Sequence, residues 1–285
     1  MVRDVSDSSD SDDLWAYLER MRFALRSGIH ARDAFDRLEP SAHLLRDLHE
    51  AHLLSVPFEN LSIHYHQPIV LETQALYQKI VSRHRGGFCY ELNGLFAWLL
   101  ARLGYQVTML SARVADGEDD FTPDFDHLAL AIYGLEGATW LADVGFGDSF
   151  RHPLRLEHEV AQDGGDGHTY RLIHSQPPHD ATEAPPFDYW TVECLYDDEE
   201  WKPRYRFAPQ PHTLADFTAR CRYHQTSPDS HFTQKRICTL ALPAGRITLS
   251  DLRLITTTDG SRAERLLHSE EEYTLVLADQ FGISI

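Results

Sequence analysis

Cys89 sits in Arg85-Gly86-Gly87-Phe88-Cys89-Tyr90-Glu91, just past a Gly-Gly turn and at the front of an apolar helical run from Leu92 to Leu103. A helix N-terminus offers unpaired N–H groups and the positive end of the dipole, and both favour a thiolate over a thiol. Such a sulfur becomes a catalytic nucleophile when a histidine takes its proton and a carboxylate orients the histidine. Two later stretches offer these parts: His127 in Asp126-His127-Leu128-Ala129-Leu130, and Asp143 in Ala142-Asp143-Val144-Gly145-Phe146-Gly147. The strands expected to carry them are neighbours in the chain, so one β-hairpin would set His127 and Asp143 side by side. Gly86 and Gly87 would let backbone approach a ligand next to the thiol. Each piece also has a plain structural reading, since a histidine in an apolar strand is commonly a core residue and Asp-x-Gly is commonly a turn.

The elements that must position these residues follow from periodicity. Residues 1–13 are acidic and serine-rich and read as a disordered tail. Leu14, Tyr17, Leu18 and Met21 recur at helical spacing, as do Leu44, Leu45, Leu48 and Leu53. Two more helices are expected over Ala75 to Val81 and Leu92 to Leu103, the second stopped by Gly104. Short apolar or β-branched runs then follow at 106–110, 127–133, 138–144, 170–174 and 189–195, with turn-rich segments between them, which predicts antiparallel sheet or barrel. Loops are expected over 162–167 and 176–186. Past Pro209 the pattern predicts a helix over 214–222 and strands over 237–242 and 246–256. A charged helix over 261–267 and helical spacing over 269–281 complete the chain.

Composition bounds the function. Hydrophobic content of 42% and charged content of 25% are those of a globular domain with a sizeable core. A net charge of −18 argues against nucleic-acid or anionic-membrane partners, which call for clustered Lys and Arg. No apolar run approaches the roughly 20 residues of a membrane span. The N-terminus has no basic-then-apolar leader, so a cytoplasmic protein is expected. Cys89, Cys194, Cys221 and Cys238 form no C-x-x-C pair and are expected as free thiols. The 17 histidines are scattered, with no H-E-x-x-H pattern, and no metal is expected.

At the residues that carry the chemistry, the chain resembles the arylamine N-acetyltransferase family. The Arg-Gly-Gly-x-Cys-x-Glu signature stands at 85–91, Pro-Phe-Glu-Asn-Leu at 57–61, and His-Leu-x-Leu at 127–130. Asp-Val-Gly-Phe-Gly stands at 143–147, Thr-Ser-Pro-x-Ser-x-Phe at 226–232, and Phe-Gly-Ile at 281–283. The similarity runs in register over roughly residues 14–285. It implies an α+β fold of three domains with a cysteine-protease-like core: a helical domain over 14–105, a β-barrel over 106–210 and an α/β lid over 211–285. It implies a ping-pong reaction in which Cys89 takes an acetyl group from acetyl-CoA and passes it to an arylamine or arylhydrazine, with His127 and Asp143 completing a triad. By the same resemblance Phe58, Phe146 and Phe207 would line an aromatic slot, Glu59 and Arg85 would form a structural ion pair, and coenzyme pyrophosphate would approach Gly145 and Gly147. The expected partners are small molecules, with the chain a monomer or weak homo-oligomer. Other readings of the same residues remain: a different acyl-CoA such as malonyl- or propionyl-CoA, a biosynthetic amide synthase, or a papain-like cysteine hydrolase. The proline- and acid-rich stretch from Gly164 to Pro186 and the presence of only three lysines, Lys79, Lys202 and Lys235, bear on the acyl donor. Coenzyme phosphates would have to rely on arginine, backbone N–H groups or hydroxyls.

Overall fold

Helices dominate the chain before Gln106 in a computed structural model that describes residues 6–23, 38–117, 120–176, 188–196 and 199–285. The first, α1, spans Ser6–Arg20. It takes in most of the acidic stretch expected to stay unfolded, and Asp and Ser at a helix start suit the positive dipole end. Residues 1–5 lie outside the described residues. Helix α2, Ala42–Leu53, is capped by Ser41, whose hydroxyl accepts the Leu44 N–H at 3.1 Å. Strand β1, Phe58–Glu59, and helix α3, Leu61–His64, follow. Helix α4, Thr73–Tyr77, runs on into a π-helical turn at Gln78–Ser82. Helix α5, Cys89–Arg102, starts at the cysteine itself, three residues before the apolar run, and stops before Gly104 at φ +89°. Its Leu92, Leu95, Phe96 and Leu99 are fully buried against Leu128, Leu130 and Ile132 of the sheet behind it.

An eight-stranded antiparallel sheet comes next, in the order β5-β4-β3-β2-β9-β8-β7-β6. Its strands are β2 Gln106–Val114, β3 His127–Leu135, β4 Ala138–Ala142, β5 Leu154–Arg155, β6 Gln162–Asp163, β7 Thr169–Ser175, β8 Tyr189–Leu195 and β9 Trp201–Phe207. A two-residue turn at Glu136-Gly137, with φ of 55° and 73°, closes the β3–β4 hairpin and sets Leu130 opposite Ala142. The two end strands meet through a side-chain amide: Gln162 Oε1 accepts from the Arg155 N–H at 2.7 Å, and Gln162 Nε2 donates to the Arg155 carbonyl at 2.9 Å. The sheet thereby approaches a closed barrel around a core that includes Leu110, Leu141, Phe150, Leu172 and Val192. Strand β9 escapes the periodicity because Pro203 interrupts it. Proline sits there at a register shift, with Val192 paired to Tyr205 and Glu193 to Pro203. Of the second expected loop, residues 177–186 lie outside the described residues.

The last third begins with a 3₁₀ turn at Leu214–Phe217, helix α6 at Thr218–Thr226 and a short helix α7 at His231–Gln234. A second sheet has the order β1-β10-β11-β12-β13, with β10 Ile237–Leu242, β11 Gly245–Ser250, β12 Arg253–Thr258 and β13 Ser261–Leu266. Helix α8, Glu270–Phe281, covers one face with Tyr273, Val276 and Leu277. Two expectations differ here. The run 246–256 is divided between two strands by a turn at Asp251, where φ is +48°. The charged segment 261–267 is the edge strand β13, not a helix. Asp259-Gly260, at φ 49° and 76°, turns the chain back on β12, and the arginines and glutamate of β13 protect an exposed edge. The whole is the three-part α+β architecture that the resemblance implies: helices, a barrel-like sheet, then a sheet with helices.

Candidate active site

Asp143 is the first residue after β4, and the hairpin brings it across from the start of β3, where His127 stands. The His127 Nε2 lies 2.7 Å from Asp143 Oδ2, with both side chains buried. The other carboxylate oxygen, Oδ1, accepts from Asn93 Nδ2 at 2.8 Å and from the Gly145 N–H at 3.0 Å. Burial alone would raise this carboxyl. The facing His127 and these hydrogen bonds outweigh it and hold Asp143 below its ordinary value. Asn93 lies one turn beyond Cys89 on α5 and also donates to the Leu128 carbonyl at 2.6 Å, while its Oδ1 accepts the Val144 N–H at 2.9 Å. One amide thus ties the cysteine's helix to both strands that carry the histidine and the aspartate. Sequence reasoning missed it because a polar residue inside an apolar helix gives no periodic signal.

Cys89 is 4% exposed at the first position of α5. The cap is completed by Glu91, whose Oε2 accepts the Phe88 N–H at 3.2 Å. Burial pushes the Cys89 thiol well up. The Leu128 backbone lowers it, and the charges of Asp126 and Asp143 raise it further. Burial thus opposes the thiolate that the helix N-terminus favours. All four cysteines are buried free thiols, and burial pushes each of them up.

The glycines around the cysteine serve packing within the chain. A Cβ on Gly86 would stand 1.9 Å from the Pro57 carbonyl oxygen, and one on Gly87 would stand 2.7 Å from the Glu91 Cβ. The space expected to admit a ligand at Gly86-Gly87 is taken by the 57–59 segment and the Glu91 side chain. Likewise a Cβ on Gly145 would lie 2.7 Å from both the Cys89 Cα and Asn93 Nδ2, so this glycine lets the β4 turn press against the cysteine's backbone. Gly147 has φ +91°; the Phe58 ring packs over it, and its carbonyl accepts from Arg246 Nη1.

Beneath the turn lies a buried cluster of two carboxylates and two cations. Arg85 donates Nε to Glu59 Oε1 at 3.0 Å, and Lys79 Nζ stands 2.7 Å from Glu91 Oε1 and 3.7 Å from Glu59 Oε1. Burial would raise Glu59, but Lys79 and Arg85 hold it low. Glu91 is pushed up, because burial and the Glu59 charge outweigh Lys79. Lys79 and Glu91 join the Glu59–Arg85 pair without any signal in their spacing.

Of the three expected slot residues, two face the triad region. The Phe146 ring is edge-on to His127 at 5.2 Å, with the Arg204 guanidinium 5.0 Å from its centre. Phe58 lies over Gly147 and 6.2 Å from Phe232, which in turn meets Phe88 edge-on at 5.6 Å. Phe207 is not brought to this slot. It is 1% exposed inside the barrel, on the wall of a cavity of 460 Å³ shared with Leu110, Tyr133 and Trp190. Alternation along β9 places Tyr205 on the same inward face, and it is the Tyr205 ring that reaches His127, at 5.1 Å, and Phe146, at 5.3 Å. Among the described residues no group of three or more His, Cys, Asp or Glu side chains is arranged to hold a metal, and no helix is long and apolar enough to cross a membrane.

Comparison with known proteins places the chain among relatives. A family model described as N-acetyltransferase matches residues 42–285. A pineal-gland arylamine N-acetyltransferase of Gallus gallus is 32% identical over 254 residues, covering 85% of this chain and 87% of the relative. The solved arylamine N-acetyltransferase of M. tuberculosis superposes with a TM-score of 0.79 at 30% identity, over 95% of this chain and 93% of that one. The Mycobacterium marinum arylamine N-acetyltransferase in complex with CoA gives a TM-score of 0.78 at 30% identity, over 95% and 92% of the two chains.

Proposed function

The chain belongs to the arylamine N-acetyltransferase family, a family of acyltransferases, and we propose that it carries an acetyl group from acetyl-CoA to arylamines and arylhydrazines through a thioester on Cys89. The observation that carries this reading is one buried cluster: Cys89 at the head of α5, its backbone against the Gly145 turn, and His127 held 2.7 Å from Asp143 beside that turn. The likeness to a relative solved with CoA supports the acyl donor. By the same likeness the segments 14–105, 106–210 and 211–285 act as helical, barrel and lid domains.

With His127 Nε2 occupied by Asp143, the ring nitrogen left for the thiol is Nδ1. Burial disfavours a lone thiolate, so the reactive form is a thiolate–imidazolium pair, made when the S–H proton passes to Nδ1 and the Asp143 charge stabilises the cation. The sulfur attacks the acetyl carbonyl of acetyl-CoA and a C–S bond forms. The bond to the coenzyme sulfur then breaks, and the imidazolium returns its proton to the departing CoA thiolate. In the second half the aromatic amine attacks the thioester carbonyl, its surplus proton goes to Nδ1, and the Cys89 sulfur leaves. Phe146, edge-on to the imidazole and half-buried, offers an apolar face to the incoming ring beside the base.

The test follows CoA thiol release from acetyl-CoA with and without hydralazine. Release that needs the hydrazine and disappears in Cys89→Ala supports the reading. Sustained release without the amine indicates hydrolysis, and full activity in Cys89→Ala removes the thioester.

A further inference from the structure

His49 is absent from the chemistry above, yet it touches the orienting carboxylate's own main chain. It sits in α2, fully buried, with its ring stacked on Phe150 at 5.8 Å and 8° and edge-on to Phe96 at 6.1 Å. Its Nδ1 lies 2.7 Å from the Arg151 carbonyl oxygen, and its Nε2 lies 2.9 Å from the Asp143 amide nitrogen. A carbonyl only accepts and an amide N–H only donates, so both contacts are met by one form of the ring: neutral, with the proton on Nδ1 and a free lone pair on Nε2.

That lone pair does a specific job. Ladder pairing of β4 with β3 ends at Ala142, so the Asp143 N–H lies just past the last strand pair, in a buried site. Without His49 it would be a buried donor lacking an acceptor, and the backbone there would turn to find one. Asp143 is thus gripped from both ends, its main chain by His49 and its carboxylate by His127, Asn93 and the Gly145 N–H. The grip extends further. Arg151, whose carbonyl accepts from His49, sends its guanidinium to the carbonyls of Pro243 at 3.0 Å and Gly245 at 2.7 Å, in the turn between β10 and β11. One imidazole therefore joins α2, the end of β4 and, through Arg151, the second sheet.

We propose that His49 is a positioning residue for acyl transfer: as a neutral Nδ1–H imidazole it fixes the Asp143 main chain, so that the carboxylate holds His127 with Nδ1 free for the Cys89 proton. The inference rests on the acyl-transfer reading. It predicts that losing the two hydrogen bonds, rather than losing the ring's volume, impairs the chemistry. H49F keeps a flat ring between Phe96 and Phe150 but cannot bond. H49Q offers an amide N–H and a carbonyl oxygen at the end of a flexible stem.

The experiment compares wild type, H49F and H49Q by melting temperature, by the single-turnover rate and KM for acetyl-CoA, and by the pH profile of Cys89 alkylation with iodoacetamide. H49F is expected to acylate roughly 10- to 100-fold more slowly, the scale of a misplacement of about 1 Å, with KM nearly unchanged and reduced alkylation near neutral pH. H49Q should recover most of both. A folded H49F with wild-type acylation and alkylation overturns the proposal. So do H49F and H49Q variants whose losses are equal and track only their melting temperatures. Should H49F not fold, the imidazole ¹⁵N signals of wild-type His49 decide, since a proton on Nε2 or on both nitrogens is incompatible with the role. If wild type forms no acetyl-Cys89, the functional reading fails on its own, and the alkylation profiles still report whether His49 governs the Cys89–His127 pair.

Discussion

Two aspartates flank His127, one beside it in the chain and one across the hairpin, and they are held in opposite ways. Asp126 is bound by basic side chains, with Arg220 Nε 2.6 Å and His224 Nε2 2.9 Å from its Oδ1. Burial would raise its carboxyl, but the bond to His224 above all, with Thr122 and Arg220, brings it down to about 2. The Asp143 carboxylate takes an amide from Asn93 and a backbone N–H from Gly145, and its other oxygen faces His127. On the proposed mechanism the difference matters to the chemistry. Neutral donors fix the direction of a carboxylate without cancelling its charge, so the Asp143 charge stays available to an imidazolium formed at His127. Asp126 also raises the Cys89 thiol.

The sharpest way to break the comparison is to exchange charge for geometry at each site. Asp143→Asn removes the charge and offers an amide where His127 needs an acceptor, so the imidazole loses its tautomer. Acyl transfer should fall roughly 1,000- to 10,000-fold, measured as CoA release in a single turnover, while KM for acetyl-CoA changes little. An active, correctly folded Asp143→Asn enzyme would mean that Asp143 does not orient His127.

Much of this contrast was legible in the chain, and the limits are physical. His127 and Asp143 stand at the outer ends of two apolar runs that are neighbours in the chain, and such runs pair as a hairpin, so their proximity followed from period and chain order. The helix behind Cys89 was equally plain, although its true start at Cys89 depends on the Glu91 cap, which an apolar count does not see. Asn93, His49, Lys79 and Arg220 were not legible. Each acts through a contact distant in sequence, 50 residues for Asn93 to Asp143 and 94 for both His49 and Arg220, and no local pattern encodes such a pairing. Phe207 and the 261–267 segment show the reverse failure. Residue type fitted the expectation, but a step of two residues along one inward face of β9, which gives Tyr205 the ring contact with His127, decided one outcome and an Asp-Gly hairpin the other.

Gly145 tests the geometric half of the contrast. Its N–H donates to Asp143, and its missing side chain lets the turn reach the Cys89 backbone. Gly145→Ala would force a Cβ to within 2.7 Å of the Cys89 Cα unless the turn retreats. The retreat should cost roughly 10- to 100-fold in the acylation rate, with the charge of Asp143 unchanged. If Gly145→Ala acylates at the wild-type rate, close contact between the turn and α5 is not what sets the triad.

Asp126→Asn is expected to have the smallest effect, and on stability more than on rate. The bonds to Arg220 and His224 lower the folded-state value of this carboxyl from an ordinary 3.8 to about 2, so ionised Asp126 stabilises the fold. After allowance for the solvent that reaches it, the contribution is about 1 kcal/mol. The sign follows from linkage. The unfolded chain takes up a proton at Asp126 before the folded one does, so the stabilisation is fully present above about pH 5 and fades as pH falls through about 4 to 2. Urea unfolding of wild type and Asp126→Asn should therefore show a gap near pH 7 that narrows steadily in acid, with acylation within about 10-fold of wild type. A gap that widened on acidification would show that Asp126 is not held as an anion by its partners. A loss of acylation as large as that of Asp143→Asn would make the two aspartates equivalent, and neutral and ionic anchoring would no longer distinguish the carboxylate that orients the base from its neighbour.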